Sequence, residues 1–177
     1  MPESHTLNSA IAVANWFIET NWPEKHDLTH LKIQKLLYFV QGFHLAFFDY
    51  PLFEDPIEAW KYGPVVKSVY RSLVKYEKDL PITELIVGYQ YVDDNYIQTT
   101  PKIIIDDEHR QKFINKFWNI YSTVDTWSLV AFTHLPDSPW SQVYNHNNSE
   151  LFLNEIIPVE LIKSYFKKWL FRYKNGN

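Results

Sequence analysis

LTHLKIQKLLYFVQGFHLAFF, Leu28–Phe48, carries the most regular apolar pattern in the chain, and its reading decides the fold. Ile33, Leu36, Leu37, Val40, Phe43 and Phe47 recur three and four residues apart, the spacing of one face of an α-helix. Leu31, Tyr38, Phe39 and Leu45 make the remaining face apolar as well. A helix apolar on both faces is enclosed by neighbours, so this one is expected at the centre of the domain, with Asp27 or Thr29 as its N-cap.

Upstream, Ala10, Ile11, Ala14, Phe17 and Ile18 predict a helix over Asn8–Thr20 that Pro23 stops. Downstream, Pro51 and Pro56 interrupt any helical period, which predicts an extended crossing segment with a short strand at Glu58–Trp60. In EAWKYGPVVKSVY, Glu58–Tyr70, Pro64 suits the first position of a new helix, where its missing N–H has no partner to lose, and Gly63 sits just outside it. Val66, Val69, Tyr70 and Leu73 carry the stripe onward. From Ile82 to Ile105, β-branched and aromatic residues predict a hairpin, with Asp93-Asp94-Asn95 between Leu85–Val92 and Tyr96–Thr100.

Helical periodicity then returns over Asp106–Ser122 and Thr126–His134. Ser138-Pro139-Trp140 reads as cap, first helical residue and aromatic anchor, and Pro158 opens a last helix with a stripe of Leu161, Ile162, Tyr165, Phe166, Trp169 and Leu170. The expected class is α+β, predominantly α-helical: a multi-helix domain around a central buried helix with a small antiparallel β-hairpin, residues 1–177 forming one domain.

Composition narrows the chemistry. Seven Trp, twelve Tyr and twelve Phe make a ring-built core, whereas four glycines and no GxGxxG or GxxxxGK[ST] argue against a nucleotide fold. A net charge of -4 weighs against general nucleic-acid binding and against an anionic membrane surface. Zero cysteines exclude disulfides and thiolate chemistry. No basic start with an apolar run, and no long apolar segment, marks a signal peptide or membrane span, so a cytoplasmic chain is expected.

Candidate sites are few. His26 and His30 have metal-ligand spacing, but the cap falls between them and no third ligand is near, so no metal or cofactor is expected. GxSxG, HExxH and HxE…PCxxC are absent, and Asp93-Asp94 and Asp106-Asp107 fall at a turn and a helix start, where carboxylates serve conformation; no catalytic residue is expected. His134 ends a helix, where an imidazole can meet free carbonyls. Lys163, Lys167, Lys168, Arg172 and Lys174 line the last helix, where cations complement the dipole. Glu58–Tyr70 has two readings. It is an architectural joint, or a joint that also faces a partner through Trp60, Lys61, Tyr62 and Lys67, its helix start receiving an anion and its rings anchoring an interface.

Taken together, Gln34-Lys35-Leu36, Ala59-Trp60, Gly63-Pro64-Val65 and Tyr70, followed by Thr133-His134 and Ser138-Pro139-Trp140, resemble the Panacea antitoxin domain, the SocA-like and GepA-like group of bacterial and phage proteins, over about residues 7–172. The resemblance implies that Gln34, Lys35, Leu36, Ala59, Gly63, Pro64, Val65, Tyr70, His134 and Trp140 are motif residues with structural work. It further implies a mostly helical antitoxin that neutralises a cognate toxin, encoded by the adjacent gene, through direct binding. Delivery of the toxin to the ClpXP protease is the first alternative, and an enzyme that reverses a toxin-made modification is the second. Some relatives carry an added DNA-binding domain, for which no length is left here.

Overall fold

The computed structural model describes residues 7–76, 80–146 and 154–174. Helix α1, Ala10–Glu24, begins at Ser9, whose hydroxyl accepts from the Ala12 N–H at 3.2 Å. The stop expected at Pro23 is corrected, because the proline lies inside the last turn of α1. The chain leaves the helix one residue later, at Lys25, whose φ of 53° lies in the left-handed region. The Asn21 side chain secures this exit by bonding both the N–H and the C=O of His26, at 2.9 and 3.0 Å. The proline sits in the final turn, where few intrahelical bonds remain to be lost.

Helix α2, His30–Phe48, is capped by Thr29, one of the two expected caps, and every residue from Lys32 to Leu45 is buried. This is the enclosed centre that its two apolar faces predict. Several polar side chains inside it, Lys32, Gln34, Lys35 and Gln41, bond neighbouring backbone. Gln41 holds the following loop by accepting from the Leu52 and Phe53 N–H groups and donating to Phe53 O. Such groups cost little when buried with partners and much without them.

The three-stranded sheet lies against α2. Strand β1, Ile57–Trp60, pairs antiparallel with β2, Gly63–Val66, in a register running from Trp60↔Gly63 to Ile57↔Val66. On its other side β1 pairs with β5, Glu155–Ile156, giving the order β2-β1-β5. Here the sequence expectation is corrected again: Gly63 and Pro64 open a strand, and helix α3, Lys67–Leu73, starts only after Val66. A proline lacking N–H fits the free edge of a hairpin as well as the first turn of a helix, and Val65-Val66 favours the strand.

The expected hairpin is present as β3, Gly88–Val92, and β4, Asn95–Thr99. Its two-residue turn is Asp93-Asp94, both at positive φ (47° and 62°), the geometry that matches the twist of the flanking strands. Helix α4, Glu108–Tyr121, is capped by Asp107, and α5, Thr126–Thr133, by Asp125. Helix α6, Pro139–His146, starts beside Ser138, whose Oγ accepts from Ser141 N–H. Helix α7 covers Val159–Lys174.

Rings join these helices as composition predicts. Phe166 of α7 packs edge-on against Phe43, Tyr38 and Phe39 of α2 at 4.9, 5.5 and 5.9 Å, so closely over Gly42 that a Cβ there would overlap the ring. Trp118 of α4 stacks on Phe17 of α1 at 5.7 Å. Burial of each large apolar side chain contributes about 1.5–3 kcal/mol. Arg110 of α4 is fully buried: its Nε donates to His44 Nε2 at 3.1 Å and its Nη1 to Asp106 at 3.0 Å. Among the described residues no helix is long and apolar enough to cross a membrane.

Candidate functional site

The motif residues converge on the outer edge of β2. Gln34 and Lys35 project from α2 toward it. The Gln34 amide accepts from Val66 N–H at 2.8 Å and donates to Val66 O at 3.3 Å, the pair of bonds a neighbouring strand would have made. The Lys35 ammonium donates to Tyr62 O at 2.9 Å and to Pro64 O at 3.3 Å. Residues 62, 64 and 66 alternate along one edge, so two consecutive helical side chains cap the carbonyls that β1 leaves free. Pro64 falls where an N–H would have needed a partner of its own.

Between the two carbonyls lies Gly63, at a φ of 106° that L side chains rarely adopt. A Cβ there would run into Lys35 Nζ and stand 3.2 Å from Thr133 Oγ1 and 3.3 Å from His134 Cε1. Glycine is therefore required twice over, by dihedral and by space. Lys35 itself is fully buried, and among the described residues no carboxylate pairs with it. Burial lowers its ammonium to about 7.

A ladder of rings continues from the joint. The Trp60 indole donates to Glu58 Oε2 at 2.8 Å, and Glu58 Oε1 lies 3.8 Å from the Lys67 ammonium. The other face of the ladder passes from Trp60 to Tyr70 at 4.7 Å and on to His30 at 5.1 Å. Burial lowers the pKa of His30. On the α6 side, Trp140 donates from its indole to Trp60 O at 2.8 Å, stacks on Tyr144 and lies 4.0 Å from His134. His134 Nδ1 is 2.8 Å from Val130 O. A carbonyl only accepts, so Nδ1 carries the proton and cannot also take one from Thr133 Oγ1, which donates to Val130 O at 2.7 Å. That adjacent pair lacks the nucleophile-and-base arrangement of covalent catalysis.

The sequence candidates are thus divided between inside and outside. Gln34, Lys35, Leu36, Ala59, Gly63, Pro64, Val65 and Trp140 are buried; Trp60, Lys67, Tyr70 and His134 are half-buried. Only Lys61 and Tyr62, the two-residue turn between β1 and β2, are exposed, with the Lys61 ammonium 5.5 Å from the Tyr62 ring centroid. The helix start once expected between Lys61 and Lys67 is replaced by this turn, and Val66 at the head of α3 makes no side-chain cap. His26 and His30 are not brought together: His26 pairs with Glu24 at 2.8 Å while His30 packs on Tyr70. Lys163 and Lys167 of α7 both pair with Asp49, which closes α2, instead of serving their own helix end.

Two members of the joint escaped the sequence reading. Glu58 lies two residues before Trp60, on the same strand face, a period-two signal that links them. Thr133 gave no signal beyond its place beside His134.

The fold is thus an α+β domain, predominantly helical, whose central helix seals the edge of a short sheet through Gln34 and Lys35. The chain belongs to the family described as Antitoxin SocA-like, Panacea domain, whose profile matches residues 33–141, from α2 into α6. It is similar to Antitoxin SocA from Caulobacter vibrioides (strain NA1000 / CB15N), at 29% identity over 162 residues, covering 89% of this chain and 82% of that protein. No solved structure matches the chain.

Proposed function

We propose that this protein is the antitoxin of a two-gene toxin–antitoxin module and neutralises its toxin by binding it directly in the cytoplasm. The observation that carries this reading is the family match laid over the geometry of the joint. The motif residues on which the resemblance rests include Gln34 and Lys35, whose side chains hold β2 to α2. Lys61 and Tyr62 stand outside the joint and belong to the contact surface, with Trp60 and Lys67 supporting them from behind through Glu58. Exposed Tyr is a common anchor in protein interfaces.

Coexpression with the product of the adjacent gene tests the reading. Growth is expected to be restored, and toxin activity in vitro to fall in one-to-one titration. Continued toxicity with both proteins soluble would count against it. Removal of toxin by trace amounts of this chain would instead assign the work to turnover, by a protease such as ClpXP if it requires that enzyme, or by the chain itself if it does not.

A further inference from the structure

Helix α5 has no charged residue: its sequence is TWSLVAFT. Leu129 and Thr133 take its inner side and are buried. Its outer side is apolar as well. Trp127, Phe132 and, just past the C-cap, Leu135 remain 73%, 40% and 41% exposed, and Ala131 is exposed between them. Trp127, Ala131 and Leu135 are spaced by four, so they form one row along the helix, with Phe132 beside it. A ring as open as Trp127 on a row of apolar neighbours marks a surface that is covered when the protein works.

The exposed charges that flank the row, Asp125 and Asp137, are both acidic, and the Lys32 ammonium lies within electrostatic reach of the first. Asp125 precedes it as N-cap, accepting from the N–H groups of Trp127 and Ser128 at 3.1 and 3.0 Å. Those hydrogen bonds, the Ser128 ones foremost, hold its exposed carboxylate below the usual range, so it stays ionised. Asp137 follows the row and is exposed. No lysine or arginine occurs between Lys116 and Lys163, a stretch that contains Asp125, Asp137, Glu150, Glu155 and Glu160. Of the neighbouring cations, Lys32 has its ammonium buried against Ser122 O at 2.6 Å, and Lys61 stays with Tyr62 at the joint.

We propose that the outer face of α5 is the docking surface for a basic segment of the toxin, whose apolar side chains lie on Trp127, Phe132 and Leu135 while its Lys or Arg side chains reach Asp125 and Asp137. The proposal rests on the antitoxin reading and assigns the contact a place. The central ring supplies the desolvated anchor, and the flanking carboxylates supply steering and salt dependence. Gly63, next to Tyr62 in the chain, packs beside Thr133 and His134 at the C-terminal end of α5, on its buried side.

The test is calorimetric titration of the full chain with the purified product of the adjacent gene, at two salt concentrations, together with growth rescue. Trp127→Ala with Phe132→Ala is expected to weaken binding at least about 100-fold and abolish rescue while leaving the melting temperature unchanged. Asp125→Asn with Asp137→Asn, which keeps a good N-cap, is expected to weaken binding about tenfold and flatten its salt dependence. Equal binding by wild type and both variants overturns the docking surface and leaves the antitoxin reading standing. Absence of binding by the wild type overturns both. A wild-type chain that is dimeric alone and becomes monomeric on Trp127→Ala assigns the face to a second copy, and likewise overturns the proposal.

Discussion

The joint and the outer face of α5 meet at Thr133, yet they invert each other's chemistry. In the joint an amide and an ammonium lie inside the protein, matched to backbone carbonyls within 3.3 Å. On α5, rings and aliphatic groups lie outside, exposed among the described residues. Each arrangement is costly by itself, and each cost has a different use. Burying polar groups fixes one geometry for the β1–β2 turn; exposing apolar ones keeps a surface ready for another molecule. The family match spans both regions, from residue 33 to residue 141.

The sharpest way to break the contrast is through Lys35. Its folded-state pKa is lowered to about 7, whereas the unfolded chain keeps the lysine near its ordinary 10.5. Between those values the unfolded state binds the extra proton, so stability rises with pH from about 7 upward; below about 7 both states are protonated and the slope vanishes. Denaturant unfolding of wild type and Lys35→Met across pH 7–9.5 should differ by a slope amounting to roughly 3 kcal/mol, present only in the wild type. Parallel curves would mean that the ammonium reaches water or an acidic partner.

Gly63→Ala comes next. Forcing a side chain to the strained dihedral and into Lys35 is expected to cost about 2–4 kcal/mol in chemical unfolding, and pairing it with Lys35→Met should recover part of the loss because the overlap is gone. The smallest effect belongs to the outer region. Trp127→Ala and Tyr62→Ala should each leave stability within about 0.5 kcal/mol, measured by the same unfolding curves. A large loss from either would move that side chain from surface to scaffold.

The central helix could be read directly because it is buried on both faces, and an apolar residue at nearly every turn has no other explanation. The hairpin was equally plain, since two acidic turn residues at positive φ separate β-branched runs. Pro64 misled for a physical reason: the same missing N–H suits a helix start and a free strand edge, and only tertiary pairing decides between them. Pro23 misled by a single residue, because the last turn of α1 accommodates it and the chain leaves the helix only at Lys25, where Asn21 ties down the following His26. The periodicity does not say where Lys35 and Arg110 go, for nothing local announces that a carbonyl pair, or a histidine 66 residues away in the chain, will receive them. At the candidate site, the motif residues named from the resemblance, Trp140 and His134 among them, lie around the β1–β2 turn, most of them buried. Sidedness depends on which elements pack above a residue, and α5 shows this best, because an apolar helix carries no polar stripe to say which face is left open.

The seal on β2 has one further outcome. A sheet of three short strands has two borders where a foreign chain can add itself by backbone pairing, the route to strand exchange and fibrils. One border is β5, only two residues long, and the other is occupied along its length by Gln34 and Lys35. Neither offers a template. Encounters with other proteins at this three-stranded sheet must therefore proceed through side chains.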